Sequence, residues 1–280
     1  MSASLQFWTN WVFGRGRRKP DWVIVITGYF DESAKGNIFL VGGFIGDCSQ
    51  WSTLEESWDI TRKGRAIHLS KMRRNKSTAE ILKELGPLPY VAGLQPFYVS
   101  VRPGDYRDML TTKGERLALN PYPICLQGLL SLLNLKLPKH ENIKLVFERN
   151  DIFDAHACVV FSQYEHIRTS TGGARFPSQE FFAKAECSLL QPADYLLYAL
   201  RECTIDQESP KFKWSKPILD ASPAAPQGLH LERNVIRELV KQAKEAGGDF
   251  GETMSQYLKE IRRLKHPKHD APPKRKVKIQ

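Results

Sequence analysis

The 280 residues hold 41 Lys and Arg against 31 Asp and Glu, a formal net charge of +10, with 41% hydrophobic and 26% charged residues. That length suits one large domain or two small ones around a sizeable core, and the composition is that of an ordinary globular protein. No apolar run approaches ~20 residues, so no membrane span is expected.

The leading segment, to about residue 20, reads as a short helix docked by Phe7, Trp8, Trp11 and Phe13. Its charges (Arg15, Arg17, Arg18, Lys19) follow the aromatics, the reverse of an export signal, which predicts a cytoplasmic protein. Strands are expected at about 22–30 and 38–46, joined by a turn at Lys35-Gly36-Asn37. Gly42-Gly43 within the second strand implies a bulge or a close backbone approach. Helices follow at 50–63, capped by Ser49, and at 77–85, capped by Ser77 and stopped by Gly86-Pro87. Pro96 to Val101 reads as a strand, and Pro121-Tyr122-Pro123 opens a buried apolar helix from Ile124 to Leu135. A strand at 143–147, a helix at 154–168, a loop at 169–173 and a strand at 180–184 come next. A helix then spans 189–202.

Four prolines make 205–230 a mostly irregular connector. An amphipathic helix at 231–246 and a last helix at 251–265 precede a disordered basic tail, 266–280. Strands first, then interleaved helices, predict an α/β protein with a mixed sheet. The five cysteines, Cys48, Cys125, Cys158, Cys187 and Cys203, form no CxxC pair and read as small buried hydrophobes in a reducing compartment.

Three acids stand out against this background. Val23-Ile24-Val25-Ile26 leads a strand to Asp31 and Glu32 at its end, and Ile143 to Phe147 does the same for Glu148, with Asp151 just beyond. Asp194 lies inside the apolar stretch Leu189 to Leu200. Taken singly, each reads as a solvated strand-end or helix-surface acid. Together, in this order and on these elements, they read as a divalent-metal site, because a cation offsets the cost of burying several carboxylates. Glu32 ranks second, since alternation along a strand turns it to the opposite face from Asp31. Asp151 serves if the strand end curls, and His68 is either a surface histidine or a group that orients water or phosphate.

The charge is unevenly placed. Residues 1–20 have net +4, and 258–280 hold nine Lys and Arg against two acids. Within the body, residues 61–77 carry Arg62, Lys63, Arg65, Lys71, Arg73, Arg74 and Lys76 with no acid, around His68. A basic block beside an acidic pocket suits a phosphate backbone; solvated helix faces and a solubilising tail are the bland alternative. No GxSxG elbow, Walker A loop, HExxH or paired Cys/His pattern offers another chemistry.

The order Tyr29-Phe30-Asp31-Glu32-Ser33, a Gly-Gly strand, Ile67-His68, Phe147-Glu148-Arg149 and Leu190-Gln191-Pro192-Ala193-Asp194-Tyr195 resembles the domain-of-unknown-function family numbered 3800. That family is grouped with the ribonuclease H-like superfamily, and the resemblance covers about residues 22–203. One departure is Ala34, where the family usually has Gly after Asp-Glu-Ser. The resemblance implies a ribonuclease H-like domain over 21–204, a resolvase-type arrangement of Asp31, Glu148 and Asp194, and two Mg²⁺ or Mn²⁺ ions held between them. The implied activity is that of a metal-dependent nuclease acting on nucleic acid, RNA or DNA, with no membrane partner. A homo-oligomer or complex subunit stays open. The alternatives are a non-catalytic nucleic-acid-binding or assembly subunit on the same fold, and a phosphodiesterase of small nucleotides.

Overall fold

Strand β1 (Ile26–Lys35) and strand β2 (Ile38–Gly46) form a hairpin whose turn falls at Gly36, where a φ of +61° reverses the chain without a Cβ clash. The computed structural model describes residues 26–236 apart from 73–74, 106–120, 138–141, 151–152, 155, 159, 162–175 and 177. The expected leading helix, the loop at 169–173, the helix at 251–265 and the basic tail lie outside the described residues. Strand β1 runs past its expected end at 30, because pairing with β2 carries it to the turn. Ala34 sits in that regular pairing opposite Phe39, so the positive φ is met two residues later, at Gly36.

Strands β3 (Gln95–Val101), β4 (Ile143–Glu148), β5 (Ser178–Phe182) and β6 (Gln227–Leu231) complete a six-stranded sheet of order β5-β4-β1-β2-β3-β6. Strand β2 runs antiparallel to both neighbours, whereas β4 is parallel to β1, β5 to β4 and β6 to β3. Strands β1, β3, β4, β5 and β6 therefore all point to one end of the sheet. The protein is α/β with a mixed sheet flanked by helices, compatible with a ribonuclease H-like core.

Helices α1 (Cys48–Arg62) and α2 (Lys76–Leu85) follow the hairpin, and a short α3 (Leu88–Val91), not expected from the sequence, forms after Pro87. Helix α4 (Tyr122–Lys136) covers one face of the sheet. It buries Leu126, Leu129, Leu130 and Leu133 completely, in one cluster with Phe30, Phe97, Val99 and Phe147. Each such side chain contributes about 1.5–3 kcal/mol. On the other face α5 (Gln191–Ile205) joins α1 and α2, and Trp51, Trp58, Leu82, Tyr195 and Leu196 cluster with Phe44. Helix α5 packs on β1 and β2. Between the two layers, β2 is buried along its whole length.

Several boundaries differ from the expectation for local reasons. Asp47 caps α1, accepting from Ser49 N and Gln50 N while Gln50 Oε1 accepts from Asp47 N, so a capping box replaces the expected Ser49 cap. Asn75, and not Ser77, caps α2 by accepting from Thr78 N. The 205–230 stretch is not irregular: its prolines open two short helices, α6 (Pro210–Ser215) and α7 (Pro217–Asp220), from their first turns, and its end enters β6. Of the helix expected at 231–246, the described residues hold 233–236, because Leu231 still pairs with Val101; the rest lies outside them. All five cysteines are free, but Cys48 and Cys158 are exposed and Cys187 and Cys203 half-buried, so only Cys125 is the core residue expected of all five. Among the described residues no helix is long and apolar enough to cross a membrane.

Gly42-Gly43 is a close approach and not a bulge, since pairing runs unbroken through Phe30↔Gly43 and Asp31↔Gly42. A Cβ at Gly43 would overlap the Tyr29 carbonyl oxygen and lie 2.9 Å from the Phe30 Cα, both rigid backbone. Gly43→Ala is therefore expected to destabilise the fold by at least ~1–3 kcal/mol in urea unfolding. Gly104 is the control, because its Cβ would meet only Asn37 Oδ1 at 3.6 Å. Gly104→Ala should change stability by less than about 0.5 kcal/mol. Equal stability of the two variants would refute the close-approach account.

Candidate metal centre

Parallel pairing of β1 with β4 runs to Phe30↔Phe147, so Asp31 and Glu148 emerge side by side where the two strands part. Asp31 is 1% exposed, and its Oδ1 accepts from Glu32 N at 2.8 Å. Asp194 stands in the first turn of α5, where the positive end of the helix dipole favours a carboxylate. These three acids come from distant parts of the chain, and the structure brings them together around one cation. Lys184 Nζ lies 2.8 Å from Asp31 Oδ2, 2.9 Å from Glu148 Oε2 and 3.4 Å from Asp194 Oδ1.

Sequence reasoning misses Lys184, which only closes an expected strand. Strand β5 instead stops at Phe182, and Lys184 sits in the following turn. Two hydrogen bonds hold that turn beside β4: Arg149 N donates to Phe182 O at 2.8 Å, and an Arg149 guanidinium N–H to Phe181 O at 2.9 Å. The available signal is charge balance. Acids withdrawn from water need a cation withdrawn with them, and a lysine just beyond a strand is in place to supply it.

Alternation puts Glu32 out of step with Asp31, as expected, yet it still joins the group. Oxygens of Asp31, Glu32 and Glu148 all lie within 4.8 Å of one another. Pairing of β4 with β1 has ended by this point, and Asn150 Nδ2 donates to Glu32 Oε1 at 3.1 Å. Asp151, Arg73 and Arg74 lie outside the described residues.

His68 is not a free surface histidine. Its Nδ1 is 3.2 Å from Asp194 Oδ2, and since an ionised carboxylate only accepts, Nδ1 donates. Its Nε2 lies 3.1 Å from Ser70 Oγ. Leu69 N also donates to Asp194 Oδ2, and Gln191 Oε1 accepts from Ile67 N and Trp58 Nε1. The start of α5 thus clasps the loop 65–70, and with it the middle of the basic block meets the acids. Within that block Lys63, Arg65, Lys71 and Lys76 are exposed, whereas Arg62 is already paired with Asp59 at 2.6 Å.

The electrostatics follow from four acids sharing one largely buried lysine. Burial pushes the Asp31 carboxyl well above its usual range; Lys184 pulls it down, and Asp194 and Glu32 push it up again. Burial, then the charge of Glu148, raises Glu32 to about 7. Burial would raise Asp194 too, but the His68 hydrogen bond and the Lys184 charge outweigh it and hold it below the usual carboxylate value. Burial disfavours the Lys184 ammonium, yet the charges of Asp31 and Asp194 more than offset that and keep it protonated.

The donors fit a hard divalent cation: all are carboxylate oxygens, with no cysteine in the set. Asp31 Oδ2 is fully buried, with the Lys184 ammonium as its partner at 2.8 Å. Comparison with protein-family models gives no match for this chain, and comparison with curated proteins gives none either.

The Glu32 shift sets a pH dependence. Its ordinary value is 4.5 and its folded value about 7. A raised folded value contributes stability that is full below about 4.5 and is lost as pH rises through about 7. In EDTA, stability from urea unfolding should fall over this window, and Glu32→Gln should remove up to ~3 kcal/mol of that fall. A variant whose profile keeps the parent's slope would show that Glu32 is not the titrating group.

Proposed function

We propose that the chain is a divalent-metal-dependent nuclease that hydrolyses phosphodiester bonds of nucleic acid. The observation that supports this best is the convergence of Asp31, Glu148 and Asp194 on one cation position at the end of the sheet to which five strands point. Such ends are where open α/β sheets place their ligands. Bound Mg²⁺ or Mn²⁺ supplies Lewis-acid stabilisation of phosphoryl oxygens and a lowered pKa for water.

The residues divide the remaining work. Asp31, Glu148 and Asp194 would hold the metal, with Glu32 adding an oxygen beside Asp31 and Glu148. Asp194 fixes the His68 ring with its Nδ1 proton inward, which leaves Nε2, now on Ser70, as the nitrogen able to take or give a proton. Lys63, Arg65 and Lys71 are exposed around that loop and suit flanking phosphates. The family of unknown function numbered 3800 and its superfamily stay the proposed kinship. A cytoplasmic location agrees with five unpaired thiols.

A second reading, a nucleic-acid-binding or assembly subunit without turnover, draws on one observation. Lys184 already satisfies the three acids as a structural ion-pair cluster would.

Asp31→Asn separates the two. Outer partners of a metal site cost ~10–100-fold in activity when removed, so loss of a ligand should exceed that range. Cleavage of labelled RNA and DNA in Mg²⁺ or Mn²⁺ should therefore fall by more than ~100-fold, with nucleic-acid affinity unchanged or tighter as one negative charge is removed. A parent inert with both metals on both substrates would favour the binding subunit.

Replacing Lys63, Arg65 and Lys71 together by Ala should weaken binding evenly across sequences. It should also lower the salt dependence, by about one unit of log–log slope for each phosphate no longer neutralised. A variant with the parent's slope would place the nucleic acid elsewhere.

A further inference from the structure

We propose that Lys184 and the divalent cation are alternative occupants of one position, so that metal entry requires the ammonium to leave. This rests on the metal-centre reading and goes beyond it by naming the group that sets when the site can load. Three observations support it. First, Nζ touches an oxygen of Asp31, Glu148 and Asp194, three of the four acids that would ligate the metal, at 2.8, 2.9 and 3.4 Å, which is the place a shared cation takes. An ammonium and a divalent ion cannot both hold that place without strong like-charge repulsion.

Second, Asp31 Oδ2 is fully buried against the Lys184 ammonium at 2.8 Å, so it is stranded unless some cation stays beside it. Either occupant meets that need, and neither can depart before the other arrives without exposing a desolvated charge. Third, Lys184 has somewhere to go. It sits on a turn beyond β5 and not within the sheet, and its side chain keeps 16% of its surface open, against none for Asp31. Four methylenes on that turn let the ammonium swing to solvent or to a bound phosphate while the backbone stays in place.

The centre then behaves as a cation exchanger. Without metal the lysine keeps the acids together, and with metal the same charge is released at the mouth of the site. There the ammonium becomes available to an anionic substrate, and only there.

The test reads metal binding directly by calorimetry with Mn²⁺, without any substrate. Lys184→Met keeps most of the stem and removes the charge, so the competitor is gone. Mn²⁺ affinity should rise by about tenfold or more, within the usual range for coupling between two ligands. Lys184→Arg, which keeps a cation there, should not gain affinity. Equal or weaker binding by Lys184→Met overturns the exchange and leaves the metal reading standing. Absence of Mn²⁺ binding in both parent and variant overturns both. Should Lys184→Met not fold, the parent alone decides: acylation of Lys184, read by mass spectrometry, should increase on adding Mg²⁺. Unchanged or lower acylation overturns the exchange.

Discussion

Four carboxylates and one ammonium share a volume with little access to water, and most of what surrounds them compensates for that imbalance. Asp31 is the extreme case, with an oxygen at essentially zero exposure that rests against the Lys184 ammonium. Low dielectric makes each charge there costly alone and strongly attracted to an opposite partner. Lys184 is shared three ways, His68 and Leu69 N take the second oxygen of Asp194, and Asn150 takes Glu32. The first turn of α5 adds the positive end of its dipole. The arrangement sets four acids against one ammonium, one imidazole and one helix end.

The geometry that permits this crowding comes from the sheet. Parallel strands β1, β4 and β5 lie side by side, so the side chains at one level converge without long loops. The β1–β2 pairing is tight where it matters, since Gly42 is the partner of Asp31 and Gly43 of Phe30. One residue earlier on each strand, Phe30, Phe147 and Phe181 stack in series, with ring centroids 5.7 and 5.9 Å apart. Those rings pack on the opposite face of the sheet from the acids and add to the ladder that sets the spacing of the three strands.

How far this can be read from the residues depends on whether the cause is local. Alternating β-branched runs mark the strands, and a proline-led apolar stretch marks α4, because periodicity is written in neighbouring residues. Asp31, Glu148 and Asp194 are legible as acids on such elements. Their mutual approach is not, since strand order is a tertiary fact. Lys184 escapes for the same reason: a lysine after Phe181-Phe182-Ala183 looks like any strand end until β5 is placed beside β4. Alternation ranks Glu32 behind Asp31, but reach across the end of the β1–β4 pairing matters more. The expected caps fall two residues late because Asp47 and Asn75, each two residues upstream, already accept from the first free amides of their helices: Ser49 N and Gln50 N for Asp47, and Thr78 N for Asn75.

The proline-rich stretch after α5 has a consequence for what counts as one folding unit. Strand β6 lies after α5, α6 and α7 in the chain, yet it pairs along the outer side of β3 from Phe97 to Val101. A chain cut after residue 204 would leave β3 as a raw edge, its amides and carbonyls ready to recruit a strand from another molecule. The inner partner of β3 is β2, buried from end to end, so a disturbed edge there is one strand from the centre. Residues 227–231 therefore act as the selvedge that keeps the sheet from fraying into its neighbours.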